Sequence, residues 1–200
     1  MVTQEIKEYY DSTEQREIRT DLEYAASIVA APKVAIDCGC GAGADIAYLL
    51  EHGFMVYGFD VEEESILRCQ RRFKNNNNVC LLKSSFESFN YPKASLVVAD
   101  ASLFFCPKQH FDDVWLSIES ALISGGIFCG SFLGPEDTMA GPEYDKSSLW
   151  TNVLVLNERQ VRSKFDSFQI QRFTEHKKSG LTPQGIPHEW HIFSIIAKKV

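Results

Sequence analysis

The sequence predicts an α/β chain: a doubly wound, mostly parallel sheet of seven strands that ends in an antiparallel C-terminal pair. Three observations predict it. Short apolar runs alternate with helix-spaced segments as far as residue 165, the order that builds a parallel sheet. Val34-Ala35-Ile36 runs into Asp37 and then into alternate glycines, Gly39, Gly41 and Gly43, before a helical pattern begins. The runs 168–173 and 188–199 then follow one another with no helix between them, which implies an antiparallel edge. At 200 residues a single domain over 1–200 is expected.

Taken in order, residues 1–12 read as a short helix or arm carrying Tyr9, Tyr10 and Asp11. Ile18, Leu22, Ala25, Ala26, Ile28 and Val29 predict a helix from Ser12 or Thr13 to about Ala30, ended by Pro32, so that 1–30 forms a helical arm. After the glycine turn, Ile46, Ala47, Leu49 and Leu50 mark a helix that Gly53 stops, and Phe54 to Phe59 is a strand ending at Asp60. Glu62–Phe73 reads as a helix, Val79–Lys83 and Ser95–Ala99 as strands, and Gln109–Leu122 as a helix stopped by Gly125-Gly126. Ile127–Phe132 is the fifth strand. The stretch 134–148, with two glycines, two prolines and no periodicity, reads as a long loop able to cover a site. Asn157–Phe165 is a helix with an Asn cap.

Composition excludes several classes. A net charge of −7 with scattered basic residues argues against a nucleic-acid footprint, which needs clustered Lys and Arg. Arg68, Arg71, Arg72 and Lys74 read as a solvated helix face. The six cysteines occur singly, without C-x-x-C or Cys/His ligand spacing, so no metal is expected. Free thiols inside apolar runs point to a reducing compartment. The N-terminus is polar, and no stretch approaches the ~18 apolar residues of a membrane span. The expected location is cytoplasmic, with no membrane partner.

Strand, glycine turn, helix, strand, acid is half of a nucleotide-binding unit. A nicotinamide dehydrogenase is one reading, because Gly39-x-Gly41-x-x-Ala44 meets the looser dinucleotide pattern and Asp60 lies about 20 residues on. Three features count against it. Asp37 sits just before the first glycine, where a carboxylate repels phosphates and favours an ammonium or sulfonium. Gly43 has no function in a dinucleotide turn. The chain also ends in a helix and two strands rather than in a second mononucleotide-binding half.

Asp37-Cys38-Gly39-Cys40-Gly41-Ala42-Gly43 resembles the D-x-G-x-G-x-G motif of class I S-adenosylmethionine-dependent methyltransferases. Asp60, the Ser95–Phe105 stretch, the Leu122–Phe132 stretch and the closing strand pair resemble that Rossmann-like family's later motifs. The sequence His188-Glu189-Trp190-His191-Ile192-Phe193 more loosely resembles small bacterial methyltransferases of the tellurite-resistance type. The resemblance implies S-adenosyl-L-methionine as cofactor and methyl transfer to a small-molecule acceptor. The alternatives are a cofactor-binding module without its own chemistry, or a protein or nucleic-acid acceptor. It also implies roles for residues. Gly39, Cys40 and Gly41 lie against the methionine part, and Asp37 offsets its positive charge. Asp60, with Val61 beside it, takes the ribose hydroxyls. Ser85 and Phe86 border the adenine, Ser85 standing where the family commonly has Asp. Asp100 and Ala101 lie beneath the sulfonium, and Asp100 lacks the Pro-Pro-Tyr context of nucleic-acid amino-group methyltransferases.

Displacement from a sulfonium needs near-attack geometry in a dry pocket more than it needs a base, and the sequence singles out no catalytic residue. Candidates for the acceptor pocket are Tyr9, Tyr10, Arg19, Phe104, Phe132, Trp150 and His191. Arg16 and Arg19 also suit the methionine carboxylate. His188 and His191, three apart on a strand, face opposite sides and cannot pair on a metal.

Overall fold

The computed structural model describes residues 4–144, 153–182 and 185–200. Seven strands form one sheet in the order β3-β2-β1-β4-β5-β7-β6. They are β1 (Val34–Cys38), β2 (Met55–Asp60), β3 (Val79–Lys83), β4 (Ala94–Ala99), β5 (Leu122–Leu133), β6 (Phe168–Leu181) and β7 (Pro187–Lys199). The first five run parallel, and β7 is antiparallel to both β5 and β6. The strand order reverses between β1 and β4, and the crevice at such a reversal is where open α/β sheets take ligands.

The period of two along each strand sorts the core into two layers. Ile36, Val97 and Phe128 face α5 (Phe111–Ala121) and α6 (Glu158–Ser163). Ala35, Leu96, Val98 and Ile127 face α2 (Thr20–Ser27), α3 (Ala44–Glu51) and α4 (Glu63–Arg72). Asn157 caps α6 through a complete capping box with Gln160.

Three elements differ from the sequence reading. The expected N-terminal helix is α1 (Gln4–Thr13), but the helix expected from Ser12 or Thr13 to about Ala30 is only α2, preceded by a non-helical break at 14–19. That break lets Arg16 and Arg19 turn inward to buried acids, an ionic contact that helical periodicity does not register. The last strand pair forms a long hairpin, with β6 covering 14 residues, because β7 pairs along its whole length. The 134–144 part of the expected loop carries a short 3₁₀ turn, Thr138–Ala140, with Asp137 accepting from the Met139 amide; 145–148 lie outside the described residues.

Candidate functional site

The glycine turn leaves the C-terminal end of β1 and is tied to β2. The amides of Gly39 and Cys40 both donate to the Phe59 carbonyl at 2.9 Å, and the Gly41 amide donates to Asp60 Oδ2 at 2.9 Å. Asp60 Oδ1 accepts from the Glu62 amide, also at 2.9 Å. Gly39 has φ +73°, and a Cβ there would stand 2.6 Å from Ser102 Cβ, so this position requires glycine twice over. A Cβ on Gly43 would meet Cys69 and Phe73 at 2.9 Å, so Gly43 serves the close packing of α4 rather than a ligand.

The loop after β4 is held as firmly. Ala101 is left-handed at φ 49°, a costly conformation for a residue with a Cβ. Its amide donates to Ser131 Oγ at 2.8 Å, and Ser102 Oγ donates to the Cys38 carbonyl at 2.5 Å. Asp100 is thereby fixed facing the glycine turn across a cavity of about 340 Å³.

Charge fills that cavity. Arg16 reaches Asp45 at 2.7 Å, and Arg19 lies 3.5 Å from Asp45 and pairs with Asp100. Asp100 Oδ2 makes no directed hydrogen bond but faces that guanidinium. Asp37, only 3% exposed, has no ion pair among the described residues, and its Oδ2 lacks any hydrogen-bond partner. Burial holds its carboxyl well above the usual carboxylate range; Asp45 adds to this, while Arg16 and Arg19 oppose it. The open turn and the orphaned acid fit a ligand that brings its own positive charge, and they disfavour a pyrophosphate.

A family model described as a methyltransferase domain matches residues 35–126, which contain this turn, Asp60 and the Asp100 loop. Over that stretch the chain is similar to methyltransferase domains. The solved structures it resembles carry the same fold at low identity. TehB from Haemophilus influenzae superposes with a TM-score of 0.77 at 16% identity, covering 98% of this chain and 67% of that one. The 1,6-didemethyltoxoflavin-N1-methyltransferase of Burkholderia thailandensis, solved with 1,6-didemethyltoxoflavin and S-adenosylhomocysteine, gives 0.62 at 18%, covering 98% and 85%. The N-methyltransferase NodS of Bradyrhizobium japonicum, solved with S-adenosylhomocysteine, gives 0.67 at 14%, covering 95% and 87%. No curated protein sequence matches the chain.

Of the positions that the superfamily motifs single out, Asp37, Gly39, Cys40, Gly41, Asp100 and Ala101 line the cavity together. Asp60 borders it through Gly41 but lies beneath Tyr10, which is 2% exposed and 3.8 Å from where a Gly41 Cβ would stand. Burial and the Asp60 carboxylate push the Tyr10 hydroxyl up. Val61 is exposed, and Ser85 and Phe86 are half-buried, Phe86 set edge-on to Phe59 at 5.5 Å. None of these three lines the cavity.

The acceptor candidates separate further. Tyr9 and Arg19 line the cavity. Phe132 does not: it is 1% exposed within an aromatic cluster of Trp115, Phe128 and Phe165, closed to any reactant. Phe104 is also buried, and its carbonyl accepts from the Leu154 amide at 2.7 Å. His191 is 3% exposed and staples the 134–137 segment: Nδ1 accepts from the Glu136 amide at 3.0 Å, and Nε2 faces Glu175 at 2.9 Å. His188 meets the buried Asp137 at 3.0 Å. Neither histidine lines the cavity, and Trp150 lies outside the described residues. Among the described residues no group of His, Cys, Asp and Glu could hold a metal, and no helix is long and apolar enough to cross a membrane.

The sequence reading missed Asp45, Ser102 and Ser131. Asp45 had a signal available, an acid in the first turn directly after the glycines, but such acids are also common as helix-dipole partners. The serines carry none, since their role lies in contacts 30 and 64 residues away.

The buried Asp37 has a consequence for stability. Its folded-state value is raised above the unfolded value of about 3.9. The stability it contributes is therefore present below that value and lost as pH rises through the folded one. Asparagine does not ionise, so Asp37→Asn is expected to match the wild type near pH 4 and to melt progressively higher than it towards pH 8. Thermal melts across that range check the sign.

Proposed function

We propose that this protein is a methyltransferase that moves the methyl group of S-adenosylmethionine to a small-molecule acceptor. The observation that carries the proposal is Asp37, a buried carboxylate whose Oδ2 has no hydrogen-bond partner among the described residues, beside an open glycine turn at the switch point of a methyltransferase-type sheet. When bound, the cofactor supplies an activated methyl on a sulfonium, a good leaving group. The chain's own residues bind and orient. Asp37 faces the cationic portion, Gly39 and Gly41 let the backbone approach, and Arg16 and Arg19 are within reach of a carboxylate once they loosen from Asp45 and Asp100. Asp60 takes the ribose hydroxyls after Tyr10 shifts aside. Tyr9, on α1, excludes water from the cavity mouth.

A small acceptor is supported by the net charge of −7, unsuited to a polyanion, and by the small-molecule acceptor named for the Burkholderia thailandensis enzyme. Among the described residues no histidine lines the cavity, and the hydrogen bond with Cys69, together with burial, pushes the Cys40 thiol up. That favours acceptors that need no base: thiols, selenols and neutral amines. The test incubates the protein with S-adenosylmethionine and a panel of such acceptors and reads release of S-adenosylhomocysteine. Acceptor-dependent release is the expected result. Cofactor binding with no release from any acceptor would identify a binding module instead.

A further inference from the structure

The cavity has one more buried acid than it has cations to match. Asp45 is engaged by Arg16 and Arg19, and Asp100 by Arg19. Asp37 is left over, while Glu17 stands at the exposed mouth, screened by water. The other titratable groups around Asp37 add no positive charge. Asp45 on α3, Asp60 on β2 and the thiols of Cys38 and Cys40 are neutral or negative. Among the described residues only Arg16 and Arg19, from the break between α1 and α2, oppose them, and both are already paired. An unpaired carboxylate in so dry a place is costly, and taking up a proton removes that cost.

S-adenosylmethionine carries an ammonium, a carboxylate and a sulfonium, a net charge of +1, whereas S-adenosylhomocysteine has lost the sulfonium charge and is neutral overall. We propose that Asp37 distinguishes the two: it gives up its proton when the sulfonium form binds and keeps it when the thioether form binds. This rests on the cofactor assignment above and goes beyond it, for it makes Asp37 a specificity-determining residue that weakens the hold on the spent product. The proton balance is simple. One proton leaves the Asp37 carboxyl for solvent as one sulfonium enters, and one returns after the methyl has gone.

The test is calorimetric titration at pH 6, where the ligand's ammonium remains charged, in buffers of different ionisation enthalpy. S-adenosylmethionine is expected to release about one proton per site and S-adenosylhomocysteine close to none. Correspondingly, in the wild type the affinity for the sulfonium form should rise about tenfold per pH unit below the Asp37 titration, while that for the thioether stays flat. Asp37→Asn should abolish the released proton and remove most of the difference between the ligands. The wild-type pH slope keeps the test decisive should that variant fold poorly. Equal proton release with both ligands, including none with either, would overturn the proposal while leaving the cofactor assignment standing. So would a release that Asp37→Asn leaves unchanged. Absence of binding by both overturns the assignment and this inference with it.

Discussion

Gly39→Ala is expected to weaken S-adenosylmethionine binding by roughly a hundredfold, the loss that about 3 kcal/mol produces. Two costs combine. The residue stands at φ +73°, where a Cβ costs about 1–2 kcal/mol. That Cβ would also lie 2.6 Å from Ser102 Cβ, and forcing such an overlap apart costs about 1–3 kcal/mol. Ser102 cannot retreat freely, because its hydroxyl holds the Cys38 carbonyl and its neighbour Ala101 is anchored to Ser131. The strain is therefore relieved by moving the glycine turn or the Asp100 loop, and both line the cavity. Gly53→Ala supplies the control. Gly53 has φ +80° with nothing within 4 Å, so it incurs the conformational cost alone and should leave binding intact. Calorimetric titration of the two variants separates a local effect from general destabilisation.

Asp60→Ala is expected to lower the stability of the fold by about 3 kcal/mol, even with no ligand present. Sequence reasoning assigns this acid to a ribose, but here both carboxylate oxygens also accept backbone amides, Gly41 on Oδ2 and Glu62 on Oδ1. The group is 8% exposed, and burial raises its carboxyl while the amides of Glu62, Gly41 and Val61 and the Ser65 hydroxyl pull it back down. Truncation leaves two amides without their acceptor, each costing about 1–3 kcal/mol. Asp60→Asn keeps one acceptor oxygen and should lose about half as much. Urea denaturation at unchanged slope reads the difference. An Asp60→Ala protein as stable as the wild type would mean that the turn is not held from β2.

The strand–turn–helix–strand unit was legible because each of its signals is local. Apolar runs, alternate glycines and an acid closing the second strand depend on neighbours in sequence. The closing strand pair was legible for the same reason. What escaped was whatever depends on distant partners. The break at 14–19 exists for ion pairs that reach 29 residues to Asp45 and on to Asp100, and the periodicity of Ile18, Leu22, Ala25 and Ala26 runs across it unchanged. Phe132 and His191 illustrate a different loss. Phe132 shares strand parity with Phe128, and His191 with Phe193, Ile195 and Ala197, all core residues on the α5 side. Parity thus turns both acceptor-pocket candidates toward the packed interior. Gly43 was noted as surplus to a dinucleotide turn, and its real constraint, the approach of Cys69 and Phe73, needs α4 in place to be visible.

The central claim is that the cavity between the glycine turn and the Asp100 loop takes a sulfonium nucleoside. Calorimetric titration of the wild-type protein with S-adenosylmethionine, S-adenosylhomocysteine and NAD tests it most directly. The account predicts saturable one-to-one binding of both sulfur nucleosides and none of NAD. Binding of NAD without either sulfur nucleoside would contradict it.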